Sequence, residues 1–134
     1  MLIKEKIVIY NRTSYFDERG LFVKIITGNE QNLPHQTGEV YVTIAKPGFS
    51  KGSHYHLNAN EWFTLIKGKS KLLLIDIDSQ EKLELILDSE QIKTIFVPKR
   101  IAHCFQNISD EDFILAAYTD LLYDPSDTIP YDCL

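Results

Sequence analysis

Pro47-Gly48-Phe49-Ser50-Lys51-Gly52-Ser53-His54-Tyr55-His56-Leu57-Asn58-Ala59-Asn60-Glu61-Trp62-Phe63-Thr64-Leu65-Ile66-Lys67-Gly68 holds two of the chain's four histidines, one residue apart, with a glutamate five positions on. On a strand, residues two apart face the same side. On a helix they would diverge, so His54 and His56 form a pair only if the segment is extended. Its surroundings are extended. Glu61 follows a short loop at the start of the next strand and shares a face with Phe63 and Leu65. It is therefore expected to point inward at the mouth of a barrel, while Trp62 faces outward.

Working outward, strand signals dominate. Ile3, Ile7 and Ile9 sit in a β-rich opening. Asn11 to Gly20 reads as a turn, and Leu21 to Ile26 as a strand. Gly28 to Gly38 reads as a loop, with His35 on the surface. Further strands are expected at Glu39 to Lys46, Glu61 to Lys67, Ser70 to Ile77, Leu83 to Leu87, Lys93 to Val97, His103 to Asn107 and Phe113 to Thr119. The tail, Tyr123 to Pro130, is turn-rich and expected on the surface. Short strands at regular spacing, with no helical period over three turns, predict a single all-β domain spanning residues 1–134, a sandwich or barrel.

Composition bounds the function. A chain of 134 residues suits one domain, and 44% apolar with 25% charged residues is ordinary for a globular protein. The net charge of -5 disfavours nucleic acid and anionic membranes as partners. The N-terminus alternates charged and apolar residues, unlike a signal peptide, and no window approaches a membrane span. Cys104 and Cys133 lack metal-site spacing and read as reduced thiols in the cytoplasm.

His103 opens the strand after Pro98, so the barrel is expected to return it to His54, His56 and Glu61. Three imidazoles and a carboxylate suit a divalent metal: zinc first, with iron, manganese or nickel as alternatives. The same cluster also reads as a metal-free acid/base site, or as ordinary polar residues.

These residues carry a resemblance. Gly48, His54, His56, Glu61 and Gly68 have the spacing of the first cupin motif. Pro98, His103 and Asn107 resemble the second, with Arg100 replacing its glycine. The resemblance implies a cupin fold, a double-stranded β-helix or jelly-roll barrel, with His54, His56, Glu61 and His103 as metal ligands. Asp17 to Phe22, Lys51 to Tyr55, Ala102 to Asp110 and Tyr123 to Pro125 are similar to the RmlC-like cupins that act on nucleotide sugars. Ala45 to Glu61 looks most like the C-terminal cupin domain of CapF-type capsule-sugar enzymes.

The implied activity is epimerisation or keto-isomerisation of a nucleotide-linked 4-keto-6-deoxy sugar in surface polysaccharide or deoxysugar synthesis. In the 3,5-epimerases the histidine at the His54 position is the base. Their tyrosine acid falls at Ala116, and their late aspartate falls beyond Leu134. The zinc-binding CapF-type cupin fits better. Tyr118 shares a face with Ala116 and is the candidate acid. Arg19, Lys51 and Arg100 are candidates for the substrate's diphosphate, Arg19 foremost. A homodimer through the N-terminal strands is expected, with Trp62 in its interface. Other readings are a dTDP-sugar 3,4-ketoisomerase, an iron-dependent cupin dioxygenase, and a non-enzymatic sugar-binding cupin.

Overall fold

Two five-stranded antiparallel sheets face each other across one apolar core. The computed structural model describes residues 1–36 and 38–133. After a helical turn α1 (Ile3–Lys6) come β1 (Val8–Asn11), β2 (Ser14–Asp17), β3 (Gly20–Val23), β4 (Val40–Ala45), β5 (Ser50–His56) and β6 (Glu61–Lys67). Then follow β7 (Lys69–Asp76), β8 (Lys82–Asp88), β9 (Lys93–Val97), β10 (Ile101–Asn107), β11 (Phe113–Thr119) and β12 (Thr128–Pro130). Sheet one runs β1-β9-β6-β11-β4, and sheet two β12-β5-β10-β7-β8. β2 and β3 form a separate hairpin. This is the expected all-β jelly-roll barrel. No described helix is long and apolar enough to cross a membrane.

Alternation decides which side chains fill the barrel. Phe63 and Leu65 of β6 pack inside with Leu72 and Leu74 of β7, Ile95 and Val97 of β9, and Phe105 of β10. Phe113, Leu115 and Ala117 of β11 join them, so Ala116 and Tyr118 take the opposite face. Gly68 turns the chain between β6 and β7 at φ +94°, and a Cβ there would lie 2.9 Å from the Phe113 Cβ. That turn demands glycine on both counts.

The sequence expectations need correction in three places. The opening segment is not one strand. Ile3 and Ile7, four apart, both reach the core, so α1 forms one turn before β1 begins. The stretch Asn11 to Gly20 contains β2 and turns into β3. The tail is not all surface: β12 pairs with β5, and Asp127 is buried.

Trp62 does face outward, but it is only 1% exposed within the single chain. Phe96 and Tyr118 pack against its ring at 4.9 and 5.4 Å between centroids. The segment after β3 is tied down on the same outer face. There Arg12 donates to Ile25 O (2.8 Å) and Glu30 Oε2 (3.1 Å), and Thr94 Oγ1 donates to Ile25 O (3.0 Å). No dimer interface is needed to bury the indole.

Candidate metal centre

The site lies at one end of the barrel, between the two sheets. β5 and β10 place His54 directly opposite His103. Between His103 and Cys104 the register shifts, leaving an extra residue on β5. Ser53 takes φ +63° and Gly52 φ +98° at this bulge. A Cβ on Gly52 would come within 2.7 Å of the His103 carbonyl, so glycine permits the close approach of the two strands. The turn before β10 is tied to the same strand, because Arg100 N donates to His56 O at 2.8 Å. Arg100 itself sits at φ +65°, which explains why the cupin motif has a glycine at this position. From the other sheet, Glu61 begins β6 between Val97 and Thr119.

The four expected ligands meet. One candidate ligand atom from each of His54, His56, Glu61 and His103 lies within 4.8 Å of the others. Glu61 Oε1 is 2.7 Å from His56 Nε2 and 3.4 Å from His103 Nε2. The His54 ring lies 5.0 Å from His56 and 4.8 Å from His103 between centroids, nearer to each than the 5.7 Å that separates those two.

The outward atoms of these side chains are held. His103 Nδ1 is 3.2 Å from Ile101 O, so its Nδ1–H donates to the carbonyl and its Nε2 lone pair faces the cluster. His56 Nδ1 meets Thr128 Oγ1 at 3.3 Å and Asp127 Oδ2 at 3.7 Å. Glu61 Oε2 accepts a 2.8 Å hydrogen bond from the Tyr41 hydroxyl. By contrast, the inward atoms His56 Nε2 and Glu61 Oε1 are buried without hydrogen-bond partners. Their 2.7 Å separation lacks hydrogen-bond geometry. Buried polar atoms left free are costly, and a cation between them would remove that cost. The donor set therefore fits a divalent metal.

Electrostatics favour the ligating form at His54, His103 and Glu61, and oppose it at His56 while no cation replaces its proton. Burial pushes His54 down to about 4, helped by His103 and His56, so its imidazole is neutral at neutral pH. Burial likewise lowers His103. Burial opposes charge on His56, but contact with Glu61 outweighs it and raises the imidazole. Burial opposes the charge on Glu61 as well, yet His56, His103 and Tyr41 hold the carboxyl below its ordinary range. Neutral imidazoles and an ionised carboxylate are the ligating forms.

Above the cluster opens a cavity of about 320 Å³, whose walls include Tyr41, His54, His56 and Glu61. A smaller lobe of about 100 Å³ shares Tyr41 and His54, is lined by Phe63, Phe105 and Leu115, and is bordered by Lys51.

Other expected site residues are not brought here. Tyr118 pairs across β11 and β6 with Trp62, on the outer face of sheet one, so it does not reach the histidines. Arg19 lies at the tip of the β2–β3 hairpin, its guanidinium 2.6 Å from Asp17. Arg100 pairs with Asp78 at 2.7 Å and borders a different surface cleft. Of the three expected cations, Lys51 alone borders the site. Tyr41, Asp127 and Thr128 were missed. On β4 the apolar alternation of Val40, Val42 and Ile44 pointed away from Tyr41, and nothing local pointed to the return of Asp127.

Comparison with known proteins places this barrel. The chain is 23% identical over 92% of its length to a UDP-2-acetamido-2,6-beta-L-arabino-hexul-4-ose reductase of Pseudomonas aeruginosa, and spans only 32% of that relative. CapF, a capsular polysaccharide assembling protein of Staphylococcus aureus, superposes with a TM-score of 0.68 at 27% identity. That match covers 90% of this chain and 34% of CapF. A dTDP sugar isomerase from Desulfovibrio desulfuricans gives a TM-score of 0.87 at 16% identity, over 96% of this chain and 85% of its own. Other structures with the same fold, among them RmlC, include 4-keto-6-deoxy sugar epimerases. Residues 15–131 match the family described as the polysaccharide biosynthesis C-terminal domain, and the chain belongs to that family, built on an RmlC-like cupin barrel.

Proposed function

We propose that this domain is a nucleotide-sugar isomerase. It takes a proton from the carbon beside the ketone of a nucleotide-linked 4-keto-6-deoxy sugar and returns it, giving epimerisation. The observation that carries the reading is the neutral imidazole of His54 at the cavity wall, beside a donor set whose inward atoms are free. The related barrels of sugar isomerases and epimerases support it.

Each residue then has a task. His56, Glu61 and His103 would hold the metal, zinc first; bound there, a divalent ion supplies Lewis acidity for the oxygen that becomes negative. His54 can complete the ligand set, and because it lines both cavities it is also the histidine placed to act as the base. It accepts the C–H proton as that electron pair moves onto the ketone oxygen. Tyr41 takes the place of Tyr118. It rises on β4, across the lumen from β5, and burial and the Glu61 charge raise its hydroxyl far above its ordinary value, so it holds a proton there. It delivers that proton to the opposite face of the carbon; His54 then releases its proton to solvent and Tyr41 takes one back, which restores both groups. Lys51 faces the phosphates. The exposed Tyr15, Phe16, Leu21 and Phe22 of the β2–β3 hairpin suit a homodimer contact.

The deciding experiment incubates dTDP-, UDP- and GDP-linked 4-keto-6-deoxy sugars with the protein in deuterated water. Deuterium at C3 or C5 is expected for at least one, with zinc in the purified protein. No exchange with any of them would sink the reading. Transfer of the keto group to C3 instead of inversion would select the 3,4-ketoisomerase.

A further inference from the structure

The small lobe beside the donor set has an apolar inner wall. Phe63, Phe105 and Leu115 form it, each 2% exposed or less. The Phe63 and Phe105 rings meet at 4.8 Å between centroids, and Phe63 lies 5.2 Å from the His103 ring, so the wall runs up to the ligand cluster. Thr43 of β4 stands opposite Leu115 of β11 and lines the lobe from sheet one, and the exposed Lys51 of β5 lines it from sheet two. Interiors are normally packed without such spaces, because atoms that line a void lose contacts. A volume of about 100 Å³ is the room of roughly three water molecules. That is enough for a methyl group and far below what a sugar ring or a nucleotide needs. A recess of this size and lining suits one hydrocarbon substituent of a ligand whose polar part lies elsewhere.

The two carbons beside the ketone of a 4-keto-6-deoxy hexose differ in just this way. C3 bears a hydroxyl and C5 a methyl, and C1 with its diphosphate lies across the ring oxygen from C5. We propose that Phe63, Phe105 and Leu115 are specificity-determining residues: their lobe seats the C5 methyl and turns away a hydroxymethyl, whose oxygen would meet carbon on the inner wall. The ring is thereby held one way round. Its C5–C1 edge and diphosphate lie toward Lys51, and its hydroxylated C2–C3 edge toward the larger cavity. The proposal rests on the nucleotide-sugar reading above and adds the residues that read the substituent.

The test uses ligands without a ketone, so that it is independent of turnover. The metal-loaded protein is titrated calorimetrically with xylose, 6-deoxyglucose and glucose, each in dTDP- and UDP-linked form; the three differ only in carrying hydrogen, methyl or hydroxymethyl at C5. The 6-deoxyglucose is expected to bind about threefold to tenfold more tightly than xylose, the worth of one buried methyl, and about tenfold more tightly than glucose. In Thr43→Leu, a change on an edge strand that fills the lobe, the advantage over xylose should be lost. In Leu115→Ala, which widens the lobe, the handicap of glucose should narrow. A methyl sugar that binds no better than the other two, or an order of affinity that a folded variant leaves unaltered, would overturn the proposal. Equal binding of all three overturns the lobe alone, whereas no binding of any overturns the nucleotide-sugar reading with it. Deuterium exchange by the wild-type protein judges the isomerisation separately.

Discussion

Glu61 and Phe63 stand two residues apart on β6 and face the same lumen, yet they belong to regions built on opposite rules. Below Phe63, away from the small lobe it borders, the neighbours close in: Phe105 lies 4.8 Å away between ring centroids, and Leu72 and Leu74 are fully buried. Around Glu61 the fold pins the outward atoms and leaves the inward ones free. One end of the barrel maximises contact. The other withholds it, accepting buried polar atoms that cost stability until a ligand arrives. The two can therefore be damaged separately.

The widest separation is expected from His54→Ala. Deuterium exchange into the sugar should fall by roughly 100- to 10,000-fold, while the thermal midpoint hardly moves; retained exchange would remove His54 from the mechanism. The reverse damage comes from Leu72→Ala in the packed end. It should destabilise the chain by about 2–5 kcal/mol in denaturant titrations and leave exchange per folded molecule intact. Gly52→Ala tests the joint between the regions. With φ +98° and the His103 carbonyl 2.7 Å from the new Cβ, β5 must shift from β10. A cost of about 1–3 kcal/mol is expected, together with weakened metal binding; a variant that binds metal normally would show that the bulge is not needed to aim the ligands.

Smaller effects sharpen the contrast. Tyr41→Phe should lower metal affinity by roughly 10- to 100-fold in a chelator competition, because Glu61 loses the donor that orients it. Its stability should stay close to wild type. Last comes pH. Burial raises the Asp76 carboxyl, but Lys6 and the backbone N–H groups of Asp78 and Ser79 outweigh that and hold it below its ordinary value. A carboxyl lowered by folding contributes stability above its unfolded value, and loses it as pH falls toward the folded one. The thermal midpoint should therefore drop between about pH 5 and pH 3, with a shallower slope in Asp76→Asn.

The sequence revealed the functional end better than its surroundings, for reasons of period. His54, His56, Glu61 and His103 could be aimed because alternation on a strand is local, and because each lies within a recognisable cupin motif. The same rule failed on β4. Val40, Val42 and Ile44 are the apolar set, yet they are 67%, 59% and 52% exposed, while Tyr41 and Thr43 face the lumen. β4 is an edge strand, and its inner face borders the site instead of the core. On β11 the apolar residues Phe113, Leu115 and Ala117 already marked the inner face, and Tyr118 lies between them and Thr119 on the other side. Following the Ala116 alignment hid that parity. Asp127 was out of reach of local reasoning, since its burial depends on β12 pairing with β5 far away in sequence.

The pairing of His54 with His103 also has a consequence in time. These residues lie about fifty positions apart, so a long loop must close before they meet. Contacts of such separation form late in folding. An ion held by His56 of β5 and His103 of β10 would recognise only the finished barrel and would draw the folding equilibrium toward it by mass action. Metal uptake during refolding would then serve as a clock for the last step of assembly, lagging behind the burial of Trp62.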